Sequence, residues 1–120
     1  MKYLIMMFGD QVTMMETRTT DWIKGMIEFM HTVGNDLEQA GELVDSRGLA
    51  DPGQAKTVRF SDGVAVATDG PYAESKESLA GYWVVDVEDE ARAVAIATRV
   101  VEFTGEPIEV RQVMDAPPEL

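Results

Sequence analysis

The hydrophobic pattern changes period along this chain. After Lys2, residues 3–8 are continuously apolar, with Tyr3, Ile5 and Met7 on one side of an extended chain and Leu4, Met6 and Phe8 on the other. From Asp21 the period becomes helical: Trp22, Met26, Phe29 or Met30, Val33, Leu37 and Ala40 share one stripe. Thr20 or Asp21 is placed to cap that helix and Gly41 to stop it. A short strand follows over 42–46, then a loop over 48–54 punctuated by Pro52-Gly53. Runs 55–60 and 64–68 flank Ser61-Asp62-Gly63, and Asp-Gly between two β-rich runs predicts a hairpin with Gly63 at positive φ. Gly81-Tyr82-Trp83-Val84-Val85-Asp86-Val87 is the clearest strand, with Trp83, Val85 and Val87 on one face. A second helix is expected over 88–103, with Glu88-Asp89-Glu90 at its electropositive start. Pro107 opens a last strand over 108–113.

The order predicts an α+β, ferredoxin-like βαββαβ plan with an added β-hairpin, in one domain over 1–114 with a tail over 115–120. Right-handed crossovers place both helices on the same face of the sheet. The first strand and residues 82–87 are nevertheless apolar on both faces, and a bare sheet face of that kind would aggregate. A second copy packed face to face would cover it, so a homodimer is expected.

Composition narrows the function classes. Ten Lys and Arg stand against 22 Asp and Glu, a formal charge of −12, which opposes binding to nucleic acid or to an anionic membrane. No apolar run approaches the roughly 20 residues of a membrane span, and the start lacks a signal-peptide cleavage site, so a cytoplasmic location is expected. With no Cys there are no disulfides, thiolate metal sites or thiol nucleophiles, and a single His allows no His-rich metal site. Neither a phosphate loop nor a dinucleotide fingerprint occurs, so no cofactor or metal is expected.

Candidate chemistry gathers in Asp69-Gly70-Pro71-Tyr72-Ala73-Glu74-Ser75-Lys76-Glu77. Asp69 ends a strand, where it can act as a general base or ligand acceptor, or brace the turn by accepting backbone N–H groups. Tyr72 is expected to anchor the loop by inserting its ring into the core or the dimer interface. Glu74, Lys76 and Glu77 can hold the loop in an ion-pair network, or present Lys76 to an anionic ligand. His31 flanks the first helix's apolar stripe, at a pocket edge or on the free surface, and is the second acid–base candidate. Tyr82 is a further candidate for the wall of a pocket beside the 69–77 loop.

Together with Phe8-Gly9-Asp10, Leu37-Glu38-Gln39-Ala40-Gly41, Val58-Arg59-Phe60, Asp62-Gly63, Gly81-Tyr82 and Glu109-Val110-Arg111, this run resembles the DGPF-domain branch of the YCII-related family over roughly residues 1–113. Tyr72 stands where the branch's name has Phe. The resemblance implies a ferredoxin-like subunit pairing into a dimeric α+β barrel. It also implies either a ligand-binding or regulatory module, with a link to sigma-factor pathways, or a small-molecule enzyme doing isomerase- or lactone-type acid–base chemistry. Some relatives are proposed to use a His–Asp dyad, for which His31 and Asp69 are the candidates here.

Overall fold

The computed structural model describes residues 1–73 and 77–119. Its elements are β1 (Lys2–Phe8), α1 (Gln11–Thr17), α2 (Thr20–Gln39), β2 (Leu43–Gly48), β3 (Lys56–Ser61), β4 (Val64–Asp69), β5 (Leu79–Asp86), α3 (Glu90–Thr104) and β6 (Ile108–Gln112), with a 3₁₀ turn at Pro52–Gln54. The main sheet runs β2-β5-β1-β6, antiparallel throughout. Leaving aside the inserted hairpin β3–β4, that is the strand order of a ferredoxin-like βαββαβ unit.

Both long helices lie on one face of this sheet. Tyr3, Ile5, Trp83, Val85 and Val87 of the sheet side pack with Val33 and Leu37 of α2 and with Ala93, Ile96, Ala97 and Val100 of α3. The alternation expected along β1 and β5 supplies the sheet half of that core. Local signals set the helix ends. Thr19, one residue before the expected caps, accepts from the Trp22 N–H at 3.1 Å. At the other end Gly41 takes φ +73°, and the N–H groups of Gly41 and Glu42 return to Glu38 O and Leu37 O, a Schellman stop. Asp89 caps α3 through the Arg92 N–H at 2.9 Å. Gly105, at φ +72°, ends that helix.

A bidentate pair ties the start of β2 to α3: the Arg92 guanidinium donates to Glu42 at 2.8 and 2.9 Å. The paired guanidinium holds the Glu42 carboxyl below its ordinary value, against the opposing effect of burial, and raises that of Arg92.

The hairpin behaves differently. Its turn has Asp62 at φ +50° and Gly63 at φ +79°, the two left-handed residues of a type I′ turn. Every residue of β4 is exposed, and Phe60 keeps 79% of its surface. The arm stands away from the body, which explains a radius of gyration of 16.6 Å where about 13.5 Å suits a compact chain of this length.

Helix α1 was not expected from the hydrophobic pattern. It has no buried residue, and it forms because Asp10 caps it, accepting from Thr13 N at 2.7 Å and Thr13 Oγ1 at 2.9 Å.

Candidate functional site

A cavity of about 660 Å³ opens between the sheet and the N-terminal half of α2, with α1 and the 46–52 segment at its rim. Met7, Met14, Met26, Met30, Trp22 and Trp83 line it. The stripe expected along α2 thus divides. Val33 and Leu37 are buried in the core, whereas Trp22, Met26 and Met30 are only half-buried because they face open space. Trp22 and Trp83 are the only tryptophans in the chain.

The rim is held by short-range polar contacts. Asp51 accepts from Gln11 N at 3.3 Å and from Gly53 N at 3.1 Å, tying the start of α1 to the turn before the hairpin. Arg18, between α1 and α2, donates to Thr104 O at 3.0 Å, lies 3.6 Å from Glu106 and covers the Trp22 ring at 4.2 Å. Phe103 backs that wall, stacked on Phe29 at 4.4 Å and tilted against Trp22 at 6.0 Å. On the floor, Gly81 pairs with Gly48 across β5 and β2. A Cβ at Gly81 would sit 2.9 Å from Arg47 O, so only Gly permits this backbone approach.

The residues singled out from sequence scatter. His31 lines the cavity and also a second, shallower groove with Asn35, Glu38 and Ser46. Asp69 stands on the exposed arm in an ion pair with Lys56, not on the cavity wall. Its partner is therefore a side chain and not the backbone N–H groups of the turn.

Tyr72, expected to insert its ring, is 85% exposed, with the Arg59 guanidinium 5.6 Å from the ring centre. Its place after Gly70, itself at φ +106°, leaves it beside the arm. Tyr82 lies on the sheet face opposite Trp83, in register with Met6 and Arg47. Glu77 is exposed, and Glu74 and Lys76 lie outside the described residues. The cavity opens at the root of the arm, and none of the described residues 69–73 and 77 lines it.

Asp10, Arg18, Trp22 and Asp51 build the site; of these the residue pattern points to Trp22 as a core position and to Asp10 only as part of the Phe8-Gly9-Asp10 run. The Asp10-x-x-Thr13 spacing was the one available signal for α1. Among the described residues no three His, Asp or Glu side chains come together as a metal site. None of the helices described is long and apolar enough to cross a membrane.

Fold and cavity define a ferredoxin-like α+β protein with a pocket between helices and sheet. The chain belongs to the YCII-related domain family, whose model matches residues 1–117. It is also 30% identical over 90 residues to an uncharacterized protein of Rhizobium meliloti, covering 72% of this chain and 68% of the relative.

Proposed function

We propose that this protein is a small-molecule-binding module that works as a homodimer, with the cavity under α1 and α2 as its ligand site. The observation that carries this reading is one apolar cavity of about 660 Å³ that holds both tryptophans and four methionines. Ligand pockets span about 300–1,000 Å³ and combine an apolar lining with a few polar groups, and methionine adapts to varied shapes. Titration with a ligand drawn from a metabolite library should quench tryptophan emission. The same titration of Ile27→Asp, altered at a half-exposed cavity residue, should not. A library that leaves wild-type emission and melting temperature unchanged would refute the reading.

Support for a dimer comes from the sheet face opposite the helices. Leu4, Met6, Tyr82 and Val84 form its apolar centre, flanked by Asp45 and Arg47 on β2 and by Arg111 and Glu109 on β6. Asp45 and Arg111 end one row of this face, and Arg47 and Glu109 end the next. A two-fold axis in the plane of the sheet, along or across the strands, sets opposite charges against each other. The face is self-complementary. Sedimentation at micromolar concentration should show twice the 13.2 kDa chain mass, and Val84→Asp should return it to one. A wild-type monomer would refute the dimer and leave the ligand site standing. Within the family, the Asp69-Gly70-Pro71-Tyr72 run supports a place in the DGPF branch, and the acidic, cysteine-free composition supports a cytoplasmic site of action.

A further inference from the structure

We infer that the cavity selects an uncharged, largely aromatic molecule with a polar contact to His31. This rests on reading the cavity as a ligand site and goes on to name its ligand class. The argument is an account of every charged side chain on the wall: Asp10, Arg18, His31, Asp51 and Glu106, Arg47 being in register with Tyr82 and so on the opposite sheet face.

Four of the five are already engaged within the chain. Asp10 accepts from the backbone and hydroxyl of Thr13 at 2.7 and 2.9 Å. Asp51 accepts from two backbone N–H groups, Gln11 at 3.3 Å and Gly53 at 3.1 Å. Arg18 is shared among Thr104 O, Glu106 and the Trp22 ring, and Glu106 has Arg18 as its partner. Only His31 makes no hydrogen bond or ion pair among the described residues.

An anionic ligand would have to break the Arg18 contacts to be paired. It would also meet three carboxylates against one guanidinium group, on a chain whose formal charge is −12. A buried charge without a partner is strongly disfavoured. A cation finds the carboxylate oxygens already turned to N–H and O–H donors. What the wall offers freely is two indole rings with their N–H groups, four thioethers, one imidazole and the small neutral side chains of Gln11 and Ser46. Aromatic rings and sulfur favour a flat aromatic guest.

Two probes of nearly the same shape decide it. N-phenyl-1-naphthylamine is neutral, and 8-anilinonaphthalene-1-sulfonate adds one sulfonate to that body. Excited through tryptophan, the neutral probe should show energy transfer from Trp22 and Trp83. The sulfonate should bind at least about tenfold more weakly, since its charge would go unpaired. Proflavine, a flat cation, should also bind weakly. Ile27→Asp should abolish binding of the neutral probe, while Val94→Asp, at an exposed position on α3, should not change it.

Equal affinity for the neutral and sulfonated probes would overturn the ligand class while leaving the cavity a binding site. No transfer from any probe, with no metabolite quenching either, would remove the site itself. Binding of the neutral probe only after the 61–64 tip of the hairpin is shortened would give the cavity to the arm of a second copy, and would also overturn the inference.

Discussion

The two halves of α2 carry one continuous apolar stripe and do different work. Toward the C-terminus, Val33 and Leu37 keep 1% and 2% of their surface and close the core against the sheet and α3. Toward the N-terminus, Trp22, Met26 and Met30 occupy equivalent stripe positions and roof an open cavity. Helical periodicity is identical in both halves. The difference is what stands opposite: α3 and the sheet centre behind one half, the thin cover of α1 behind the other. An amphipathic helix can thus serve as core for part of its length and as a binding wall for the rest.

The sharpest way to break this comparison is to truncate one residue in each half. Leu37→Ala should cost about 3 kcal/mol in urea unfolding, through lost burial and the hole left behind. Met26→Ala, which only enlarges an existing space, should cost less than about 1 kcal/mol while altering ligand affinity. Equal losses from the two would mean that the halves are packed alike.

Smaller than the Leu37 effect, Gly81→Ala should cost about 1–3 kcal/mol, because its Cβ would press on the Arg47 carbonyl and part β2 from β5. Loss of cavity binding at a temperature where the variant stays folded would show that the floor, and not only the roof, shapes the site.

Below that comes the Glu42–Arg92 pair, which anchors the packed half by joining the strand after α2 to α3. With Arg92 45% exposed, solvent screening holds its expected worth to about 1 kcal/mol. Glu42 has a lowered carboxyl value in the folded chain. Its contribution is therefore complete above the unfolded carboxylate range, near pH 4.5, and disappears as pH falls through the lower folded value. Melting curves of wild type and Glu42→Gln should differ at neutral pH and converge in acid. A gap that persisted at low pH would show that the pair's ionisation contributes nothing.

The smallest effect belongs to the arm. Phe60→Asp should change the stability of the isolated chain by no more than about 0.5 kcal/mol, since Phe60 is 79% exposed. A larger loss would mean that the arm packs against its own body in solution.

Much of the fold was legible in the residues. The alternation of β1 and β5, the Asp62-Gly63 turn and the acidic start of α3 each placed an element within a few positions of where it lies. Helix α1 was not legible. Seven residues with no apolar stripe give periodicity nothing to detect, and the Asp10 cap that creates the helix is a single contact. The site was read less well than the fold for a related reason. Asp69 and Tyr72 stood out because the 69–77 run is dense in chemistry, but the arm that carries Asp69 turns both of them outward. Arg18 and Asp51 carry no signal in the sequence, and Asp10 only that of a family motif, because ordinary capping and surface residues acquire a role only when α1 is seen against the loop at 49–52.

By itself, then, the order of residues determined the succession of strands and helices apart from α1, the face of each that turns inward, and the family to which the chain is similar. Those follow from interactions within a few residues, from side-chain period and from turn chemistry. Tertiary structure alone decided where the buried stripe of α2 gives way to a cavity. Whether an apolar side chain meets a partner or open space depends on elements distant in the chain, and no local period encodes that.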